Sequence, residues 1–218
     1  MPPRALTPSG VILVDKPAGP TSFAIVAATR RRTGARTGHA GTLDPFATGL
    51  LLLLSGASTR LQPRFVGLAK RYETEIDLAA RTTTGDVEGA RIDERDAPGR
   101  GELEEELEGL RGAVDLPIPA ASAVKIDGER AYALHRRGVV VEMPVRTMHV
   151  HELTLRGYAD GVAQVELHVS SGTYVRAIAD ALGGHCTTLR RTEIGPFHVD
   201  EADPERIIEP EDALARLA

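Results

Sequence analysis

The sequence predicts an α+β fold with a mixed, mainly antiparallel sheet flanked by helices. Apolar and polar residues alternate along 70–78 and 162–169, as they do in strands that bury one face. A further strand is predicted at 148–155, and Asp127-Gly128 is a typical hairpin turn after a strand at 123–126. Several strands interleaved with few helices favour this fold class.

The first third of the chain is predicted to alternate strands with short helices. The aliphatic runs at 10–15 and 50–54 predict two buried strands. A helix is predicted over 21–32, because Thr and Ser can cap its start and Gly34 follows its end. A short helix near 59–65 completes this part.

The remainder of the chain is predicted to contain two loops and three helices. The segment 81–100 is rich in Thr, Gly, Asp and Arg and is expected to be loop, while 112–121 carries two prolines and is expected to be irregular. Leucines at helical spacing predict an acidic helix at 102–110, and an apolar stripe predicts another at 173–182. A final helix is predicted at 204–217.

Composition limits the classes of site and location. The chain has 218 residues, of which 42% are hydrophobic, a size that suits one large domain or two small ones. The single cysteine, Cys186, excludes an internal disulfide framework and a four-cysteine metal site. His149 and His151 have no third ligand near them, so no metal is expected. No signal peptide or membrane-spanning run is found, and a cytoplasmic protein without membrane contact is expected.

The charge distribution is uneven. The net charge is −5, yet residues 1–72 hold ten Lys or Arg and only two acids. A basic surface on an acidic protein can bind phosphates, because the local field governs encounter. The alternative is chance asymmetry beside a solvated acidic helix. The expected phosphate contacts are Arg30, Arg31, Arg32, Arg36, Arg64, Lys70 and Arg71.

The most informative segment is 38–49, which reads G-H-A-G-T-L-D-P-F-A-T-G. Its glycines allow sharp turns or close approach of the backbone to a ligand. The one acid, Asp44, is followed by Pro45 and then by the buried strand at 50–54. A lone carboxylate on a rigid loop is a way to hold one reactive group still. The alternative for Asp44 is a structural Asx turn before proline.

Four other candidate residues also have ordinary explanations. Arg176 lies in the helix predicted at 173–182 and fits a solvated residue paired with Asp180, four positions later. His39 fits a loop histidine that is hydrogen-bonded to backbone, Tyr72 fits an ordinary aromatic residue of a strand, and Lys16 fits a surface lysine. The spacing of these residues does not decide between a functional role and these ordinary explanations.

Taken together, the motifs resemble those of the TruB family of tRNA pseudouridine synthases, which make pseudouridine 55 in the T-loop. The matching stretches occur in the family's order over nearly the whole chain. They are 10–22, 38–49, 70–74, 81–89, 122–132, 170–176 and 189–197. The resemblance implies the catalytic fold of pseudouridine synthases, a flipped target base and no cofactor.

The resemblance implies three catalytic residues. Asp44 is similar to the family's catalytic aspartate, and Tyr72 to the tyrosine that stacks on the target base and assists proton transfer. Arg176 is similar to the arginine that pairs with the catalytic carboxylate. The resemblance leaves open whether the carboxylate attacks C1′ or removes a proton at C2′.

The same resemblance implies further substrate-binding residues. Three of them would line the pocket of the flipped nucleotide: His39, Tyr174 and Leu189. Lys16 matches a lysine near the active site with a mainly structural role, and Asp86 matches an acid near the bound RNA.

The resemblance also implies a domain organisation and a partner. A flexible N-terminus at 1–9 would precede a single catalytic domain at 10–218, in which 112–138 is a mobile segment that clamps RNA. The C-terminal PUA domain usual in bacterial members is expected to be absent. The partner is the T-arm of tRNA, and the protein is expected to act as a monomer without an obligate protein partner.

Two other classes of function compete with this one. A tRNA-folding chaperone would use the same fold and basic surface, but it need not keep Asp44, Tyr72 and Arg176 together. A base-excising glycosidase is disfavoured, because cleavage in this family is followed by recapture of the base.

Overall fold

The computed structural model describes residues 9–217, which divide into two units. Unit 1 holds the described residues up to Tyr72 together with those from Arg190 onward, and unit 2 is Glu73–Leu189. Apart from Ser9, the N-terminus predicted to be flexible lies outside the described residues. The single catalytic domain at 10–218 and the mobility of 112–138 stay predictions.

The structure contains fourteen strands and six α-helices within the described residues. The strands are β1 (Gly10–Lys16), β2 (Thr37–His39), β3 (Thr48–Ser55), β4 (Lys70–Asp77), β5 (Arg81–Thr82), β6 (Arg91–Ile92), β7 (Gly112–Pro117), β8 (Lys125–Ile126), β9 (Glu129–Arg130), β10 (Val145–Ala159), β11 (Val162–Val169), β12 (His185–Ile194), β13 (Phe197–His198) and β14 (Asp203–Ile208). The helices are α1 (Ser22–Thr33), α2 (Gln62–Val66), α3 (Arg100–Gly109), α4 (Ala131–Arg136), α5 (Val175–Ala181) and α6 (Pro210–Ala215), with 3₁₀ turns at Gly56–Leu61 and Val199–Glu201.

Unit 1 is a sheet whose central strands are buried on both faces. β1 pairs antiparallel with β3 and β14, β2 pairs antiparallel with β3, and β3 runs parallel to the end of β12. One face of β1 and β3 packs on Phe65 and Phe197, and the other packs on Val26 of α1. Burial of both faces explains why these strands read as continuous aliphatic runs.

Unit 2 is built around long antiparallel strands. Its strands follow the order β12, β4, β11, β10, β7, and β10 pairs antiparallel with both β11 and β7. Asp160 and Gly161 both have positive φ angles, 51° and 76°, at the turn between β10 and β11. Leu103 and Leu107 of α3 are buried where this helix packs against β10. The predicted α+β class with a mixed, mainly antiparallel sheet is confirmed.

The local turn and cap predictions are also confirmed. Asp127 and Gly128 have φ angles of 48° and 88° between β8 and β9, which form the predicted hairpin. Gly34 ends α1 in the left-handed conformation, with φ 67°.

Two element predictions are wrong. The segment 112–121 begins with β7, an edge strand that ends at Pro117, and proline is tolerated at such a position. The helix predicted at 204–217 is strand β14 followed by α6. Ile207 and Ile208 are β-branched residues that suit a strand, and Pro210 in the first turn marks where the helix begins.

Candidate active site

The 38–49 motif connects β2 to β3 in unit 1, and two of its glycines are required by geometry. Gly41 and Gly49 have φ angles of 108° and 102°, in the region that favours glycine. A Cβ at Gly49 would also lie 2.2 Å from the carbonyl oxygen of Arg191. Both ends of the loop therefore depend on the absence of a side chain.

Asp44 lies between two residues whose backbone is held by buried side chains. The Ser22 hydroxyl donates to the Leu43 carbonyl and accepts from the Leu43 N–H, both at 2.8 Å. The Lys16 ammonium donates to the Pro45 carbonyl at 3.1 Å, and Ser22 and Lys16 are both buried. The backbone on each side of Asp44 is therefore fixed, which satisfies one requirement for a preorganised catalytic group.

Lys16 has a wider structural role than its contact with the loop. Its ammonium also donates to the carbonyls of Pro17 and Pro20, at 2.8 and 3.0 Å. The surface-lysine explanation is wrong, because this side chain is completely buried.

His39 and Tyr72 belong to the same unit. His39 is the last residue of β2 and is partly buried. Burial, and then the charge of Arg191, lower the pKa of His39 below 6.5, although a backbone hydrogen bond at Gly41 acts in the opposite direction. The imidazole is therefore neutral near pH 7. Tyr72 is a buried residue of β4.

Arg176 is buried in unit 2 and connects α5 to two other chain segments. Its guanidinium donates to the carbonyls of Thr84 and Ala121, at 2.6 and 3.0 Å, and lies 3.5 Å from the Asp86 carboxylate. Its side chain and that of Asp86 are only 3% and 5% exposed. The alternative of a solvated arginine paired with Asp180 is therefore wrong.

Asp180 instead pairs with a different arginine. It accepts two hydrogen bonds from Arg81, at 2.7 and 2.9 Å. Both side chains of this pair are more than one-third exposed, whereas the side chains of Arg176 and Asp86 are buried.

Asp86 shapes the loop that receives Arg176. Its carboxylate accepts from the Thr84 hydroxyl at 2.6 Å and from the Glu88 N–H at 3.0 Å. Its backbone carbonyl accepts from the Thr82 hydroxyl at 2.7 Å. These hydrogen bonds of Asp86 all hold its own loop in shape. Its proximity to RNA stays a prediction.

Two further predicted residues also lie in unit 2. Tyr174 precedes α5, where its N–H lies 3.5 Å from the Met148 sulfur, and its side chain is partly exposed. Leu189 is a buried residue of β12. Their positions at a nucleotide pocket stay predictions. No group of three His, Cys, Asp or Glu among residues 9–217 is arranged to hold a metal ion.

The contact between Ser22 and the loop was not predicted from the sequence. Thr and Ser at 21–22 both suit a helix cap, and the structure separates their roles. The Thr21 hydroxyl accepts from the Ala24 N–H at 3.1 Å and caps α1, which leaves the Ser22 hydroxyl for Leu43. The sequence did contain a signal for this contact: Thr21 and Ser22 can each cap the same helix start, and only one of them is needed there.

Replacing Ser22 should weaken the fold and also slow the reaction that is expected at Asp44. Ser22→Ala leaves a buried N–H and a buried carbonyl of Leu43 without their partner, at a cost of about 1–3 kcal/mol in the free energy of unfolding. If Asp44 has the catalytic role that the resemblance implies, displacement of its backbone by this loss should also lower the turnover rate about tenfold. Single-turnover kinetics and urea unfolding measure the two effects.

The neighbouring cap residue provides the control. Thr21→Ala should cost about 1 kcal/mol of stability through loss of the helix cap and leave turnover unchanged. Equal turnover in the two variants would contradict the role given to Ser22.

Lys70 does not meet the expectation of a phosphate contact. Its ammonium is buried and donates to the carbonyls of Val66 and Leu68, at 2.7 and 2.5 Å. Burial, and then the Arg191 charge, lower the pKa of Lys70 to about 8. The phosphate-contact prediction for this residue is wrong.

The shifted pKa of Lys70 should make stability depend on pH. Between pH 8 and 10.5 the unfolded chain keeps the proton that the folded protein releases, so the free energy of unfolding rises with pH. The rise amounts to at most about 3 kcal/mol. Urea unfolding across this window should show the rise in the wild type and in Lys125→Met, which changes an exposed lysine, but not in Lys70→Met. Parallel curves for all three proteins would refute the assignment.

Comparison with known proteins shows which family this sequence is similar to. The family described as "TruB family pseudouridylate synthase (N terminal domain)" matches residues 29–175. The "tRNA pseudouridine synthase B" of Leifsonia xyli is 42% identical, over 94% of this chain and 74% of that protein. The protein of the same name from Thermobifida fusca is 43% identical, over 88% of this chain and 72% of its own length.

Solved structures agree with the fold. The Cbf5-Nop10-Gar1 complex contains a chain that is 28% identical, with a TM-score of 0.67 over 88% of this chain. This chain spans about half of that solved chain's length, 50%. A solved "pseudouridylate synthase" shares the fold at 17% identity, with a TM-score of 0.53. No helix among residues 9–217 is both long and apolar enough to cross a membrane.

Proposed function

The chain belongs to the TruB family of pseudouridylate synthases, and from that premise we propose that it converts uridine 55 in the T-loop of tRNA to pseudouridine. Asp44 is the proposed catalytic carboxylate. The observation that carries this proposal is the fixation of the backbone on both sides of Asp44 by Ser22 and Lys16. A structural Asx turn does not require two buried side chains devoted to its neighbours.

The proposed reaction is an isomerisation without a redox change. The C1′–N1 bond breaks, the uracil turns, and a C1′–C5 bond forms; C5 loses its proton and N1 gains one. The ionised carboxylate of Asp44 acts either as a nucleophile at C1′ or as a base at C2′. Both routes place the carboxylate against the sugar, so both require the same fixed loop.

The reacting nucleotide must leave its stack before the bond can break. Flipping costs a few kcal/mol, and stacking of the base on the Tyr72 ring offsets about 1–3 kcal/mol of this cost. The proposed pocket residues are His39, Tyr174 and Leu189. A neutral His39 suits this role, because it can donate or accept a hydrogen bond without adding charge beside an uncharged base.

Arg176 has the proposed role of stabilising the ionised catalytic carboxylate. A guanidinium stays charged under all relevant conditions and favours the charged form of a nearby acid. Asp86, Thr84 and Ala121 hold this guanidinium rigidly, which supports a positioned cation rather than a mobile surface charge. Asp86 thus contributes by fixing Arg176.

The exposed arginines of unit 1 are the proposed contacts to tRNA phosphates. Arg30, Arg31, Arg36 and Arg64 are exposed. Arg32 is paired with Glu205 at 2.8 Å, and Arg71 with Glu193 at 3.3 Å, so these two are weaker candidates. We also propose that the protein binds the T-arm as a monomer and without a protein partner.

Affinity for tRNA should therefore fall steeply with salt. Each phosphate contact contributes a slope of about −0.7 to −0.9 in a plot of log K against log salt. Replacing Arg30 and Arg31 with Gln should reduce this slope by about 2. Arg100→Gln, which removes an exposed arginine from the acidic helix α3, should leave it unchanged. Filter binding measures the slope, and a flat dependence in the wild type would refute the basic contact surface.

The proposed activity is tested by release of tritium from a T-arm stem-loop labelled at C5 of uridine. Formation of the C1′–C5 bond expels the C5 hydrogen, so the wild type should release tritium under turnover conditions. A stem-loop with cytidine at position 55 should release none. Binding of the labelled stem-loop without release would favour the chaperone alternative over the proposed enzyme.

A further inference from the structure

Arg191 is a fully buried cation within the matching stretch 189–197, and the resemblance implies no role for it. It lies on β12 in unit 1 and is 1% exposed. Its guanidinium donates to three backbone carbonyls: Leu50 at 2.7 Å, Thr42 at 3.3 Å and Gly41 at 3.3 Å. Two of these carbonyls precede Asp44 in the loop and the third follows the loop.

The backbone of the same residue holds the far end of the loop. Arg191 and Gly49 are partners in the parallel pairing of β12 with β3. A Cβ at Gly49 would lie 2.2 Å from the Arg191 carbonyl oxygen and 2.7 Å from its nitrogen. The side chain of Arg191 therefore contacts the beginning of the Gly41–Gly49 loop while its backbone contacts the end. Asp44 lies between these two points.

The electrostatic cost of this arrangement indicates that the guanidinium is retained for its geometry. Carbonyl oxygens are its hydrogen-bond acceptors, and no carboxylate within residues 9–217 forms an ion pair with it. Its charge also disfavours the charged forms of Lys70 and His39. Burying a charge without an opposite charge is costly. The planar guanidinium supplies a separate nitrogen for each of the three carbonyls, whereas a lysine ammonium, such as that of Lys16, must bond its carbonyls from a single nitrogen.

We propose that Arg191 is a positioning residue, whose guanidinium closes the Gly41–Gly49 loop and thereby holds Asp44 in its reactive position. This inference rests on the proposed function of Asp44. Arg191 acts through the loop backbone and needs no contact with the RNA.

The test compares Arg191→Lys with Arg190→Lys in steady-state pseudouridine formation on the T-arm stem-loop. Lysine keeps the charge, but its single nitrogen cannot occupy the positions of the three guanidinium nitrogens, so the loop should lose its fixed shape. Misplacement of a catalytic group by about 1 Å costs on the order of 100-fold in rate, so kcat should fall by about that factor. KM should stay unchanged, because the binding surface is intact.

Arg190→Lys controls for the substitution itself. Arg190 is the neighbouring residue, and its guanidinium bonds the exposed Asp15 carboxylate at 2.8 and 3.1 Å. This variant should keep the wild-type kcat and KM. Gel filtration and thermal melting, performed on every variant, establish that the protein assayed is folded.

The outcomes separate this inference from the proposed function. Absence of pseudouridine with the wild type would refute the proposed function itself. An active wild type together with wild-type kcat in Arg191→Lys would overturn the role of Arg191. A raised KM with unchanged kcat would also overturn it, as would failure of both Arg191→Lys and Arg191→Gln to fold, because Arg191 would then serve the fold and not selectively the loop.

Discussion

Asp44→Asn should bind the T-arm stem-loop with wild-type affinity and form pseudouridine at least about 10³-fold more slowly. Asn has nearly the shape of Asp, so the contacts of Ser22 and Lys16 to the neighbouring backbone should persist. It carries no negative charge, so it can neither attack C1′ nor accept a proton at C2′. Filter binding and single-turnover kinetics measure the two properties separately.

The matched control is the other acid among residues 1–72. Asp15 is exposed and paired with Arg190, so Asp15→Asn should keep wild-type turnover. Substantial pseudouridine formation by Asp44→Asn would remove Asp44 from the mechanism. Loss of tRNA affinity in that variant would indicate a binding role instead.

Arg176→Met should lower the free energy of unfolding by roughly 3–5 kcal/mol, because it leaves the Asp86 carboxylate buried without its counter-charge. Arg81→Met removes an arginine from a pair whose side chains are 39% and 35% exposed, and exposed pairs contribute at most about 1 kcal/mol. Urea unfolding of both variants tests the difference directly. Similar losses in the two proteins would contradict the buried ion pair.

A double variant separates the structural role of Arg176 from its proposed catalytic role. Asp86→Leu combined with Arg176→Met removes both charges and should recover the part of the lost stability that comes from the unpaired carboxylate. The carbonyls of Thr84 and Ala121 and the N–H of Glu88 still lose their partners, so recovery should be incomplete. It should remain inactive, because the proposed cation beside the catalytic carboxylate is absent. Recovery of activity along with stability would show that Arg176 acts only in the fold.

The sequence predicted those elements whose signals are local. The alternation in β4, the cap at Gly34 and the turn at Asp127-Gly128 each depend on neighbouring residues, and the structure confirms them. Strand β12 was not predicted, because the buried residues on its inner face include His185 and Arg191. A charged residue on the buried face removes the apolar alternation by which a strand is recognised.

The helix predicted at 204–217 shows a different limit. The β-branched Ile207 and Ile208 favour a strand, while their neighbours permit a helix, and the pairing of β14 with β1 decides the outcome. This pairing joins segments almost two hundred residues apart in the chain, so no local pattern contains it. The tertiary contact therefore decides between two conformations that the local sequence permits.

The candidate site was predicted in part. The glycines, the proline and the single acid of the 38–49 motif indicated a rigid loop around Asp44. The side chains that fix that loop, Ser22 and Arg191, were harder to predict. Ser22 had only the signal of a second cap-type residue at a helix start, and an arginine on a strand has many uses. The burial of Arg176 was equally invisible, since its partners at Thr84, Asp86 and Ala121 lie far from it in sequence.

The central claim is that Asp44 drives isomerisation of uridine 55. Its most direct test is mass spectrometry of a complete tRNA transcript after incubation with the wild type or with Asp44→Asn, using a chemical label for pseudouridine and fragment mapping. The expected result is pseudouridine at position 55 with the wild type and unmodified uridine there with Asp44→Asn. Modification at another position by the wild type, or at position 55 by both proteins, would contradict the account.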